Sequence, residues 1–481
     1  MDARMMRLFE VHRSNKRNRM RNLLLCCLRP ARRFCAVTLL CGLSLLGAGC
    51  TSLHQFRTDY RAGDTTAHGA ECRTNSIEVT PDYLLSFVEF DDQGWLWDRN
   101  QMNAVLDRFS TEDSTNGLLM LVFVHGWKHN ADWDDDNVAM FRTNLTELAE
   151  MERQLSQAGG WKARKIAGVY VGWRGLSTKL PLFRQLTFWD RKNTAHEVGR
   201  GGVTELYSRL EDLRANSRVL HDAEPRRKPT QLIIVGHSFG GALTYSALAP
   251  LLVERAVQSS ATNQSVGTMR GFGDLVVLIN PAFEAARIEV LYSAATNQHW
   301  YPTNQPVNLA IFTSKGDTAT GFWFPLGRRS STLWEKHRDA EQARANITAV
   351  GHYKPFTTHD LVYVPDHPAA KTNRAKTKTV RAKTYTGHLT VNESIAQVKD
   401  LHQQIQRHRQ TTKQEMPDRS YQFSNSRLVP RGDLPLHFPV YNVSVDKAII
   451  PDHGTIDTQA FLTFLREFVS AFTAPDVIPK R

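Results

Sequence analysis

Residues 232–243 read Leu232-Ile233-Ile234-Val235-Gly236-His237-Ser238-Phe239-Gly240-Gly241-Ala242-Leu243. An apolar run leads into a serine flanked by glycines two before and two after, and a small-residue helix start follows. A serine at a strand-to-helix elbow is held in a strained backbone conformation that lifts its hydroxyl above the sheet, and glycines at those offsets let the chain turn without a Cβ clash. The helix that follows aims its N-terminus at the serine, which favours developing negative charge there. The pattern alone is common. Its position, after an apolar run and before a helix start, is what gives it weight.

The same texture extends to both sides. Leu118–Val124, Ile166–Trp173, Leu275–Ile279 and Val307–Thr313 are nearly continuous apolar runs, as expected of strands covered on both faces. Amphipathic helix candidates lie between them at Asn137–Gln154, Val203–Leu213 and Gly241–Val253. A last strand candidate, Tyr441–Ile450, precedes a helix whose Phe461, Leu462, Phe464, Leu465, Phe468, Val469 and Phe472 form one apolar stripe. Strands alternating with helices predict an α/β class with a mostly parallel central sheet and helices on both faces.

A second motif sits at the end of the first run, Val122-Phe123-Val124-His125-Gly126-Trp127. With it, the chain resembles an α/β-hydrolase of the lipase/esterase superfamily, as in bacterial relatives with a His-Gly turn after one strand and a GHSxG elbow after a later one. Gly172-Trp173 and the aromatic-rich connection to Gly199–Gly202 are similar to the same subgroup. The resemblance covers about residues 118–325 and 441–475. It implies the α/β-hydrolase fold with a long insertion before the last strand, and an oxyanion hole formed by the backbone N–H groups of Trp127 and Phe239. It also implies the chain order serine, acid, histidine. The acid is then Asp317, in Thr313-Ser314-Lys315-Gly316-Asp317, with Glu284 after the preceding run as the alternative. Nine of the eighteen histidines follow Asp317. His453, between the last strand and the terminal helix, is the expected base, and His388 is its competitor. His352, His359 and His437 lack such flanks and read as surface or insertion residues. His125 and His237 read as structural neighbours rather than catalysts.

Charge and cysteine place the rest. Residues 1–33 carry a net +8 and residues 368–384 a net +6, so the remainder of the +12 chain is near neutral at −2. A basic folded domain, and with it a nucleic-acid partner, is excluded. All six cysteines lie in the first 72 residues, which excludes a disulfide framework or a cysteine metal site in the main domain. The basic start, the apolar run Phe34–Leu46 and Leu46-Gly47-Ala48-Gly49-Cys50 resemble a bacterial lipoprotein signal, departing from its pattern at Gly47. That resemblance implies that Cys50 is lipidated and becomes the mature N-terminus. With Thr51 following, it further implies an anchor in the outer membrane facing the periplasm.

The expected organisation is therefore 1–49 signal, 50–115 N-terminal segment and 116–325 hydrolase core. A partly disordered insertion at 326–440 carries the basic tract, and 441–481 returns the last strand and helix. Asp132, Asp134, Asp135 and Asp136 lack the glycine and glutamate of a calcium loop and read as helix capping. The aromatics Phe183, Phe188, Trp189, Phe322, Trp323 and Phe324 suit an acyl pocket or core packing equally. The expected activity is hydrolysis of an ester or related acyl bond in a small molecule or lipid, with no cofactor. The alternative is a non-catalytic envelope lipoprotein that uses the fold as a binding or scaffold module.

Overall fold

The computed structural model describes residues 53–64, 72–175, 188–223, 227–260, 267–297, 300–364, 391–410 and 419–473. The signal region, Cys50, the basic tract, His388 and Phe183 lie outside the described residues, as do the side chains of Phe188 and Trp189.

Twelve strands among the described residues form one sheet. They are β1 (Asp59–Asp64), β2 (Asn75–Val79), β3 (Tyr83–Glu89), β4 (Leu118–Val124), β5 (Lys165–Gly172) and β6 (Gln231–His237). There follow β7 (Leu275–Ile279), β8 (Leu309–Ser314), β9 (His359–Tyr363), β10 (Tyr421–Gln422), β11 (Ser426–Pro430) and β12 (Val440–Val445). The order across the sheet is β1-β2-β3-β5-β4-β6-β7-β8-β12-β9-β11-β10. The block from β3 to β9 is parallel throughout, and β2, β11 and β10 pair antiparallel to a neighbour. The chain is thus α/β with a mostly parallel mixed sheet.

The sheet reaches beyond the stretch read as its core. Residues 50–115 supply β1 to β3 and the helix α1 (Arg99–Asn116). The stretch 326–440 supplies β9, β10 and β11, so β12 runs inside the sheet between β8 and β9. The predicted strand Tyr441–Ile450 ends earlier, at Val445, where Asp446 caps a turn through Ala448, Ile449 and Ile450.

The remaining helices used below are α2 (Asp136–Gly159), α3 (Phe188–Arg200), α4 (Val203–Ala223), α5 (Phe239–Ser260), α6 (Glu289–Thr296), α7 (Phe324–Ser331), α8 (Ala340–Ile347), α9 (Val391–Gln410) and α10 (Gln459–Thr473). Asp135 accepts from the Asn137 N–H as the N-cap of α2, and Asp136 lies in its first turn, so two of the four aspartates serve the helix start, while Asp134 is ion-paired to Arg73 at 3.2 Å.

Strand alternation sorts the core into two layers. On β4, Leu118, Met120, Val122 and Val124 face one layer with α1, α4 and α5, while Leu119 and Phe123 face the other with α2, α9 and α10. In the second layer Phe312 of β8 meets Phe461, Phe464 and Phe468 of α10 edge-on, with ring centroids 5.9, 5.3 and 5.4 Å away. Each of these fully buried rings contributes about 1.5–3 kcal/mol. This packing draws the Pro451–Gly454 loop before α10 to the end of the sheet where β6 delivers Ser238.

Candidate active site

Parallel register brings the relevant turns together. Val124 pairs with Gly236, His237 with Ile279, Ile279 with Phe312, and Ser314 with Val445, so the turns after β4, β6, β7, β8 and β12 leave one edge. Ser238 occupies the single residue between β6 and α5 and has φ 56°, left-handed backbone that costs a non-glycine residue about 1–2 kcal/mol. It is held there by its N–H donating to the Ile279 carbonyl at 2.9 Å, and by its own carbonyl accepting from Ala282 N–H at 3.1 Å. A Cβ on Gly240 would strike the Val124 carbonyl, and one on Gly236 would sit 2.7 Å from the Gly240 carbonyl. Glycine at both offsets is a steric requirement of the elbow.

His453 and Asp317 complete the constellation. Ser238 Oγ lies 2.7 Å from His453 Nε2, and His453 Nδ1 lies 2.9 Å from Asp317 Oδ2. The carboxylate only accepts, so Nδ1 carries the proton and Nε2 presents its lone pair to the serine hydroxyl. Ser238 and Asp317 are buried, and the His453 side chain is partly open. Burial opposes ionisation of Asp317, but hydrogen bonds from His453 and Thr320 outweigh it and hold the carboxyl below its ordinary value.

The loop carrying His453 is fixed through its backbone. The His453 carbonyl accepts from His237 Nε2 at 2.9 Å and from Asn280 Nδ2 at 3.0 Å. Asn280 also donates to the Asp452 carbonyl, its Oδ1 accepts from Ser314 N–H at 2.9 Å, and Ser314 Oγ donates to the Ile450 carbonyl at 2.5 Å. Burial, then the neighbouring His453, push His237 down to about 3, so it stays neutral and serves as a donor. His237 is the hydrogen-bonding neighbour the sequence suggested. Asn280 and Ser314 were not singled out there. The signal for Asn280 was its place directly after an apolar run, with its backbone left-handed at φ 46°.

The turn after β4 packs against the elbow, since a Cβ on Gly126 would lie 2.9 Å from Ser238 Cβ. Trp127 follows in that turn, and Phe239 is the first residue of α5. His125 donates from Nδ1 to the Gly126 carbonyl and accepts at Nε2 from Trp173 N–H. It stacks against Trp173 and Tyr170 at 5.4 Å, and burial pushes it down to about 4. It shapes the turn as a neutral ring.

Glu284 is not brought to His453. It is ion-paired to Lys192 at 2.5 Å, Arg287 at 2.8 Å and Arg328 at 2.9 Å. Burial opposes its ionisation, yet the cations outweigh it and hold the carboxyl at about 2. His352 lies within 326–440, the stretch read as an insertion, but it is not a surface residue: half-buried, it stands one hydroxyl from Asp317, its Nε2 3.0 Å from Thr320 Oγ1. Its chain neighbours have no flanking strand, so nothing in the sequence marked it. Phe324 is fully buried in the core, whereas Phe322 and Trp323 are 59% and 62% exposed on the turn after Asp317. Core packing therefore explains only the first of these three. No group of three or more histidine, cysteine or acidic side chains able to hold a metal occurs among the described residues.

Comparison with protein-family models, curated proteins and solved structures returned no match to this chain.

Proposed function

We propose that this protein is a serine hydrolase that cleaves an ester or related acyl bond through an acyl-enzyme. The observation that carries the reading is the unbroken contact from Ser238 Oγ to His453 at 2.7 Å and from His453 to Asp317 at 2.9 Å, on a serine held at φ 56°. His453 Nε2 takes the hydroxyl proton as Ser238 Oγ attacks the acyl carbonyl, and Asp317 stabilises the imidazolium that forms. The backbone N–H groups of Trp127 and Phe239 receive the oxyanion. Collapse breaks the acyl–oxygen bond, and His453 returns its proton to the leaving alcohol. Water, deprotonated by the same histidine, then attacks the acyl-enzyme and releases the acid with Ser238 restored. Phe322 and Trp323 face solvent beside the acid and offer the substrate's apolar group a surface.

A fluorophosphonate probe tests the core of this reading. It labels the wild-type chain, and Ser238→Ala abolishes both labelling and turnover of a chromogenic ester. Labelling that persists in Ser238→Ala rejects it. We propose further that Cys50 carries lipid and anchors the enzyme in the cell envelope, at the outer membrane facing the periplasm. Intact-mass measurement is then expected to find Cys50 diacylated or triacylated at the mature N-terminus, and an unprocessed chain overturns the proposal.

A further inference from the structure

We propose that Thr320 and His352 act as a positioning pair that fixes the plane of the Asp317 carboxylate. The proposal rests on the hydrolytic reading above, and it concerns residues that touch neither substrate nor nucleophile.

Thr320 lies in the five-residue π-helical turn Ala319–Trp323, which follows β8 and runs into α7. Single π turns recur at functional sites because the extra residue re-aims a side chain. Here the turn points Thr320 inward, 1% exposed, onto the acid. Its N–H donates to Asp317 Oδ1 at 3.0 Å, and its hydroxyl donates to Asp317 Oδ2, the oxygen that also takes His453 Nδ1–H.

A threonine hydroxyl has one proton. Once that proton is donated in the hydrogen bond to the carboxylate, the oxygen can only accept from His352, so His352 Nε2 must carry hydrogen. The chain is therefore directional: His352 donates to Thr320, Thr320 to Asp317, and Asp317 receives His453. The carboxyl torsion of aspartate is broad, and two donors on different oxygens hold it in one plane. A charge-assisted hydrogen bond that itself receives one is strengthened. The titratable groups facing Asp317 are His453, from the loop after β12, His352, from the helical turn Val350–His352, and His237, at the end of β6.

That turn is itself anchored. Val350 N–H donates to the Phe283 carbonyl at 3.0 Å, and Asn442 Nδ2 of β12 donates to the Val350 carbonyl at 3.1 Å. A Cβ on Gly321 would come within 3.2 Å of the His352 ring, so glycine there lets the imidazole seat beneath the π turn.

The test uses the full chain and begins with fluorophosphonate labelling of the wild type. Thr320→Val keeps the side-chain volume and the backbone donor but removes the hydroxyl, and is expected to lower kcat roughly ten- to a hundredfold with KM little changed. Losing a donor leaves the Asp317 carboxylate more basic, and because that carboxylate stabilises the imidazolium, the acid limb of kcat/KM moves to higher pH. Thr320→Ser restores both. His352→Gln, which keeps a donor near Nε2, retains more activity than His352→Leu. Thr320→Ala serves if the valine variant does not fold. A Thr320→Val enzyme with wild-type kcat and pH profile overturns the proposal, as does a serine variant that is folded but no better than valine. Long-range ¹H–¹⁵N spectra read His352 independently of turnover. The expected tautomer is Nε2–H, and Nδ1–H overturns the pair even where the probe fails to label and the hydrolytic reading itself falls.

Discussion

Asp317 and Glu284 follow neighbouring strands, leave the same edge of the sheet, and are each 2% exposed. Burial does not distinguish them; their partners do. Asp317 is met by an imidazole N–H, a hydroxyl and a backbone N–H. Glu284 is met by three cations, and its charge is already neutralised. A carboxylate in the first setting can respond to an imidazolium formed beside it. One in the second holds the turn after β7 to α3 and α7, since Lys192 and Arg328 come from those helices. The difference teaches that two acids equally placed by topology are separated by the partners each receives, hydrogen-bond donors around Asp317 and lysine and arginine cations around Glu284.

The largest expected effect breaks the first half of this comparison. Asp317→Asn is expected to lower turnover of a chromogenic ester by on the order of 10⁴ while leaving the melting transition close to wild type. Glu284→Gln is expected to keep near wild-type turnover per folded molecule. The reverse pattern would exchange the two roles.

The second half concerns stability. Removing one member of a buried ion cluster leaves its charged partners desolvated, so Glu284→Gln is expected to lose roughly 3–5 kcal/mol of unfolding free energy in urea titrations. A variant with an unchanged midpoint and slope shows that the cations find other compensation and that Glu284 does not hold the turn.

The parts of the molecule legible in the sequence are those encoded locally. The elbow from Leu232 to Leu243, the five apolar runs and the stripe Phe461–Phe472 carry their structure in contiguous residue types, because a doubly covered strand must be apolar along its length. His453 and Asp317 were reached by chain order and flanks, and the structure brings both to Ser238. What stayed hidden is non-local. β9 and β11 are five residues long and partly polar, His359–Tyr363 and Ser426–Pro430, and exist as strands by pairing with β12 and with each other. Asn280 and His352 make contacts spanning 173 and 32 residues, and no periodicity announces such a contact. The preference for Asp317 over Glu284 came from chain order and flanks; the cation that occupies Glu284 was out of reach, since Lys192 lies 92 residues from it.

A third buried carboxylate sharpens the comparison with the smallest effect. Glu467 lies on α10, 3% exposed, and accepts from Ser424 N–H at 3.0 Å and from the Ser424 hydroxyl. It has neither the imidazole of Asp317 nor the cations of Glu284. Burial therefore prevails over the Ser424 hydrogen bonds and pushes its carboxyl up to about 7. The sign follows from proton counting. Between the unfolded value of about 4.3 and the folded value, the folded chain holds a proton that the unfolded chain has released, so stability falls as pH rises through that window. Asp317 and Glu284, both lowered, act oppositely and lose stability only as pH falls below the ordinary carboxylate range. The buried imidazoles of His125 and His237, held neutral, also favour the folded state as pH rises toward about 6.5. The informative quantity is therefore the difference between wild type and Glu467→Gln, which cannot titrate. Relative to that variant, wild type is expected to lose on the order of 2 kcal/mol between pH 5 and pH 8, read from urea midpoints at the two pH values. Parallel pH dependence in the two proteins means that Glu467 is ionised throughout, and that the two Ser424 donors suffice, as the donors of Asp317 do, to keep a buried carboxylate charged.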